Sequence, residues 1–323
     1  MKPRPAAPPA TPARPAALPP HRIAALRRAV LGWFDASGRR LPFRGTTDPY
    51  AIVVVETMAQ QTQIGRVGPA WAGFLERFPT VESLAAAPVA DVLRQWRGLG
   101  YNSRALNLHR AARVVVAEHA GRFPADVAAL ERLPGIGPYT ARAVAAIAFG
   151  LPVGAVDTNV RRVLARVTVG DARGLRPRAL QSLADAVVDP SRPADWTHAV
   201  MDIGSTFCRT TNPTCGPCPL RGRCAYAAAD GATERRDPGS ASAPSHGRAD
   251  RTPFPATTRW LRGRILDRAR DAADGTWVRF DDPLGSHPPE AVVAMLAALA
   301  RDGLLEVAPD DPALARLPHA AVG

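Results

Sequence analysis

From residue 21 to about residue 226, apolar positions recur at helical spacing and are broken by short turn signals, so the chain reads as one helix after another. Asp48-Pro49 offers an N-cap followed by a proline in the first turn, which predicts a helix running through AIVVVETMAQ. FPTVESLAAAP and FPADVAALERLPG each have a Thr or Asp entering an apolar-periodic stretch that stops at Pro or Gly. The Val-rich run at 52–55 suits a strand by residue type, but it is short and its flanks are helical. The pattern predicts an all-α domain with little or no sheet.

The pattern changes at both ends of this region. Residues 1–20 (MKPRPAAPPATPARPAALPP) form a Pro/Ala/Arg tail with no reason to fold, and they lack the apolar core of a signal peptide. Residues 230–257 read as a Gly/Pro/Ser-rich linker. Residues 258–323 form a small module: a helix around 258–273, a strand-like TWVRF, a helix around 289–301, then Asp302-Gly303 and LLEVA. That order resembles a winged helix. The expected domains are therefore 1–20, 21–229, 230–257 and 258–323. No uninterrupted apolar run approaches the ~18 residues of a membrane span, and a cytoplasmic location is expected.

The net charge of +12 over 323 residues is unevenly placed. Residues 21–229 carry +11, whereas residues 259–323 carry −2. The basic surface thus belongs to the helical domain, where a nucleic acid is expected to lie. The C-terminal module is expected to pack or to bind a partner without touching nucleic acid. Lys2 is the only lysine, which excludes chemistry needing a lysine amine in a folded core.

Four cysteines, Cys208, Cys215, Cys218 and Cys224, fall within 17 residues with spacing C-x6-C-x2-C-x5-C. Such crowding points to metal rather than disulfides. Four thiolates suit zinc, but only one pair has the close spacing usual in zinc sites, and a [4Fe–4S] cluster also takes four Cys. In LERLPGIGPYTARAVAAIAFG (130–150), Gly135 and Gly137 open a helix and let backbone N–H groups approach a phosphate, as in a helix-hairpin-helix. Glu56 sits inside the apolar AIVVVETM, where a carboxylate is either a poised general acid or the partner of a buried Arg. Asp157 in GAVDTNVRRVLARV precedes an amphipathic helix and reads as an N-cap; a further role needs a carboxylate oxygen left over.

Taken in order, ETMAQQTQ, GLGYNSRALNLH, LPGIGPYTA, VDTNVRRVLAR, MDIGSTFC and the cysteine loop resemble the adenine DNA glycosylase family of base-excision repair, within the endonuclease III superfamily of helix-hairpin-helix glycosylases. The resemblance covers roughly residues 23–226. It implies a six-helix barrel module beside a module bearing a [4Fe–4S] cluster on the four cysteines, with double-stranded DNA carrying a mispaired or oxidised base as partner of a monomeric enzyme. It implies that Glu56 is the general acid that protonates the purine and Asp157 the carboxylate that stabilises the sugar cation, with Tyr139 and Asn159 in support. Gln61 and Thr62 then line the gap left by a flipped base, and Tyr101 is the wedge near the opposite, damaged guanine. Phe43, Arg44, Ala59, Ile64, His198 and Met201 fall at base-pocket positions. Phe43 stands where Trp is usual, Ala59 where Leu is usual, and His198 replaces a Glu or Gln. The chain beyond residue 229 does not resemble the Nudix-like domain usual in that family.

The implied reaction is hydrolysis of the N-glycosidic bond of adenine mispaired with 8-oxoguanine or guanine, without efficient strand cleavage. Two alternatives stand beside it: a thymine or uracil mismatch glycosylase of the same superfamily, and a non-catalytic helix-hairpin-helix DNA-binding protein.

Overall fold

The computed structural model describes residues 18–172, 174–229 and 253–319; most of the expected tail (1–17) and linker (230–252) lies outside the described residues. Packing divides the chain into two units that do not follow a single cut. One is drawn from residues 1–39 and 152–241, the other from residues 40–151 and 242–323. Along the chain, α1 (Pro20–Ser37) belongs to the first unit. The second is built by α2 (Pro49–Ala59), α3 (Ile64–Arg77), α4 (Val81–Ala86), α5 (Val89–Gln95), α6 (Ser103–His119), α7 (Val127–Glu131) and α8 (Pro138–Phe149). The chain then returns to the first unit for α9 (Thr158–Val169), α10 (Pro177–Val187), α11 (Pro193–Thr206) and α12 (Ala225–Ala229). The C-terminal elements α13 (Thr258–Asp271), β1 (Val278–Arg279), α14 (Pro289–Arg301), β2 (Glu306–Ala308) and β3 (Asp311–Arg316) group with the second unit.

In the first unit, Val30, Val163, Leu164, Val167, Val187, Trp196 and Ile203 share one core. Arg27 of α1 closes the end of α10 by donating to the carbonyls of Val187 (3.1 Å) and Val188 (2.6 Å), acceptors that a helix C-terminus leaves unpaired.

In the second unit α2 is buried nearly all round: Ile52, Val53, Val54 and Met58 are at most 1% exposed. It packs against α3, α6 and α8. Burial on every side overrides the weak helix propensity of the Val run. The expected start is confirmed, because Asp48 accepts from the N–H groups of Tyr50 (3.1 Å) and Ala51 (3.4 Å) and Pro49 opens the helix. Thr80 and Ser83 form a reciprocal capping box on α4.

The C-terminal module has both expected helices, with α13 ending two residues before position 273. Its sheet has the order β1-β3-β2, all antiparallel, with Ala315 opposite both Val278 and Val307. The central strand, DPALAR, is not apparent from sequence: Ala and Pro have low strand propensity, and pairing on both edges decides its conformation. No helix among the described residues is long and apolar enough to cross a membrane.

Candidate active site

Glu56 lies half-buried in α2 between the buried Val55 and Thr57. Beyond α2 the chain turns at Gln61, a non-glycine residue with φ of 54°, before Gln63 at the N-cap position of α3, which makes no side-chain capping bond. A left-handed residue with a Cβ costs about 1–2 kcal/mol, and such strain gathers at functional sites. Tyr101 repeats the feature with φ of 45°, and the residue is 48% exposed. Thr62 is half-buried beside Gln61, and Ile64 is exposed at the start of α3.

One side chain serves both turns. Arg104 Nη1 donates to the carbonyls of Thr57, Met58 and Gln60, while its Nη2 donates to Thr62 Oγ1 and to the carbonyls of Leu99 and Gly100. The guanidinium also lies over the rings of Trp96 and Tyr101. Burial lowers its pKa, though an arginine stays protonated, so a half-buried cation neutralises the partial negative charge of the α2 C-terminus. Arg104 sits inside the YNSRALNLH motif and was not assigned a role from sequence.

The hairpin joins α7 to α8 through Pro134-Gly135-Ile136-Gly137. Gly135 has φ of +76°, and a Cβ there would stand 2.6 Å from Asn107 Cβ, so only glycine fits. At Gly137 a Cβ would meet nothing within 4 Å; the open space leaves the first turn of α8 approachable by an anion. Tyr139 is half-buried in that turn, and Gln60 Nε2 reaches Thr140 Oγ1 at 3.4 Å, tying α2 to α8.

In the first unit, Asp157 caps α9: its Oδ1 accepts from Val160 N–H at 2.6 Å, and its Oδ2 accepts from Asn159 Nδ2 at 2.9 Å. Contrary to the expectation, neither carboxylate oxygen is left over, although each keeps a second lone pair beyond these bonds. Asn159 Oδ1 in turn accepts from Arg162 Nη2 at 2.7 Å; that nitrogen also reaches the Gly204 carbonyl at 2.7 Å, and Arg162 Nε donates to the Cys208 carbonyl. A Cβ on Gly204 would stand 2.6 Å from Asn159 Cβ, so glycine lets α11 close on this network. His198 and Met201 of α11 are half-buried, and Met201 packs against the first unit's core.

None of the four cysteines is in a disulfide, and all four line one cavity walled otherwise by Val163, Ile203, Phe207 and Leu220 among others. Burial pushes the Cys218 thiol up to about 11, with the other three cysteines adding to the rise, and burial also raises Cys224. A bound cationic centre reverses both effects, because coordination deprotonates a thiol. Arg166, 1% exposed, stands with Nη1 3.5 Å from Cys208 Sγ and anchors the loop through the carbonyls of Arg209 (2.6 Å) and Thr210 (3.2 Å). The four thiols share one apolar cavity beside a buried cation, but among the described residues no group of three or more His, Cys, Asp or Glu side chains is placed to hold a metal ion.

Of the remaining positions expected at a base pocket, Phe43 and Arg44 are half-buried in the loop before α2, with Phe43 edge-on to Trp71, and Ala59 is the half-buried last residue of α2. Glu56, Phe43 and Ala59 thus belong to the second unit, whereas Asp157, His198 and Met201 belong to the first.

Residues 54–211 match the family model of the HhH-GPD superfamily base excision DNA repair protein. The chain is 37% identical over 283 residues to an adenine DNA glycosylase of Mycolicibacterium smegmatis, covering 87% of this chain and 92% of that protein. It is 40% identical over 214 residues to the adenine DNA glycosylase of Homo sapiens, covering 62% of this chain and 39% of the human protein. Among solved structures it resembles a thermostable thymine-DNA glycosylase, with TM-score 0.61 and 29% identity, covering 65% of this chain and 98% of that one. An endonuclease III in a non-covalent DNA complex shares the fold, with TM-score 0.55 and 21% identity over 64% of this chain and 97% of that one. The chain is a DNA N-glycosylase and belongs to the adenine DNA glycosylase family.

Proposed function

We propose that this enzyme removes adenine paired with 8-oxoguanine or guanine in double-stranded DNA, leaving an intact abasic site. The observation that carries the reading is the Asp157 carboxylate, held by Val160 N–H and Asn159 in a chain 37% identical to an adenine DNA glycosylase. A base inside a duplex is out of reach, so the nucleotide is extruded first. Gln61 and Thr62 occupy the gap and Tyr101 wedges beside the opposite base; the strained backbone at Gln61 and Tyr101 supports both assignments. Glu56 protonates the departing purine. Asp157, steadied by Asn159, stabilises the positive charge left on the sugar, the two-carboxylate logic of glycoside hydrolysis applied to an N-glycosidic bond. Tyr139 supports the pair, and Phe43, Arg44, Ala59, Ile64, His198 and Met201 shape the pocket. The hairpin at Gly135 and Gly137 grips the backbone.

Cys208, Cys215, Cys218 and Cys224 hold a [4Fe–4S] cluster, which when bound orders the loop that they span. The four thiols around one apolar cavity support this reading. The enzyme acts as a monomer in the cytoplasm, with residues 21–229 as the glycosylase domain, 1–20 as tail, 230–257 as linker and 258–323 as an appended winged-helix-like module. A second reading, excision of thymine or uracil from mismatches with guanine, draws on the likeness to a thymine-DNA glycosylase and on the unusual Phe43, Ala59 and His198. Single-turnover base release from duplexes with 8-oxoguanine:A, G:A, G:T and G:U distinguishes them. Adenine release from the first two is expected; release of thymine or uracil alone transfers the assignment to the second reading.

A further inference from the structure

The negative charge of the C-terminal module is not spread over its surface. The first nine residues of α13 hold Arg259, Arg262 and Arg264 and no acid; Asp267 and Asp271 lie in its last five. That end, which also carries Arg268 and Arg270, docks the module on the rest of the second unit. Asp271 pairs with Arg97 at 2.5 Å, and Asp274, just beyond the helix, pairs with Arg94. Arg270, 7% exposed, donates to the Leu93 carbonyl at 2.9 Å and to Asn102 Oδ1 at 2.6 Å, so α13 is fastened to the residue that follows Tyr101. Of the three arginines in the basic half, Arg262 pairs with Asp302 and Arg264 with Asp267. Arg259 is exposed, has no ion pair among the described residues, and places its guanidinium carbon 5.3 Å from the centre of the Tyr101 ring.

We propose that Arg259 is a DNA-binding residue that holds a backbone phosphate beside the point where Tyr101 enters the duplex, which makes the C-terminal module part of the nucleic-acid surface. The proposal rests on Tyr101 touching DNA, as in the function proposed above. A guanidinium carbon over a ring leaves N–H donors that the ring does not use, and a guanidinium's donors match a phosphate bidentately. The Tyr101 turn is held by Arg104 on one flank and by the Arg270–Asn102 bond on the other, so the cation is positioned before DNA arrives. A duplex in contact with the Tyr101 ring therefore comes within reach of Arg259. The acids in α13, just beyond it or bound to it do not oppose this, since Asp267, Asp271, Asp274 and Asp302 are each paired with an arginine.

The test is equilibrium binding of the full chain, across a salt series, to a duplex with 8-oxoguanine opposite a non-cleavable 2′-fluoro-adenosine. Arg259→Gln is expected to weaken binding about tenfold, the worth of a charged hydrogen bond. It should also lower the slope of log affinity against log salt by about 1, the signature of one lost phosphate contact. Arg259→Lys should restore the slope. Arg279→Gln removes the same charge from the same module at a residue paired with Asp311, and should leave affinity and slope unchanged. The proposal is overturned if Arg259→Gln retains the parent slope, even with weaker binding, because Arg259 then only props Tyr101. It is equally overturned if Arg279→Gln causes the same loss, which makes the effect one of net charge. Adenine release by the parent, measured separately on a cleavable duplex, tests the proposed function on its own.

Discussion

Arg104 Nη1 donates to the carbonyl of Gln60 at 2.6 Å, and Gln60 immediately precedes the left-handed Gln61. The same guanidinium donates to the carbonyl of Gly100, which immediately precedes the left-handed Tyr101. One planar cation thus holds both turns proposed to enter the duplex. A lysine has a single ammonium and cannot span the two sets of carbonyls. Arg104→Lys should lower stability by about 1–3 kcal/mol through unsatisfied carbonyls. It should also reduce base extrusion at least tenfold, read by 2-aminopurine fluorescence beside the mispair. Normal extrusion by the folded variant would remove Arg104 from the positioning of these turns.

Glu56→Gln should abolish nearly all base release, since general acid catalysis is typically worth ~10²–10⁴-fold. Asp157→Asn keeps a cap, because Asn and Asp serve about equally at that position, so folding should survive while excision is lost. A folded Asp157→Asn enzyme that releases adenine at the parent rate would reduce Asp157 to a cap.

The chain Asp157–Asn159–Arg162–Cys208 ties the catalytic candidate to the first cysteine through side-chain and backbone bonds. Arg162→Leu should therefore slow single-turnover excision, with duplex affinity less affected, by freeing Asn159 to rotate. Cys218→Ser should act in the opposite sense, lowering cluster content and DNA affinity first. Iron analysis and visible absorbance of the anaerobically purified parent should give one cluster of four irons per chain; zinc without iron would refute the assignment.

Strand cleavage through a Schiff base needs a lysine amine, and Lys2 is the only lysine in the chain. Tyr139 occupies the first turn of α8 after the hairpin. Base release should leave abasic strands that break only after alkali or heat. Borohydride trapping of protein on DNA at the rate of base release would contradict this.

His109 is 2% exposed with Nε2 3.0 Å from the Ala87 carbonyl, and burial lowers its pKa from 6.5. The unfolded chain therefore takes up a proton first as pH falls, so stability contributed by this residue is present above pH 6.5 and declines below it. His109→Gln, which retains a donor, should flatten the fall in melting temperature between pH 6.5 and 5.

The helical class, the capped start of α2, the hairpin glycines and the four-cysteine set were all legible in sequence. Each is dictated locally: Asp48-Pro49 caps its own helix, Gly135 supplies its own backbone angle, and cysteines crowded within 17 residues already lie close in space. What tertiary structure alone decided is where the arginines go. Sequence counts 26 of them in residues 21–229 and gives each the same positive charge. Arg104, Arg162 and Arg166 are spent inside the protein on backbone carbonyls from segments as far as 47 residues away, so they are structural cations rather than part of a DNA-facing surface. The reverse holds for the C-terminal module. Its net charge of −2 argues against DNA, but Asp274 and Asp271 are taken up in pairs with Arg94 and Arg97 and the exposed Arg259 is left beside Tyr101. Charge is a property of composition; which charges remain for a partner depends on long-range pairing, and only the folded chain fixes it.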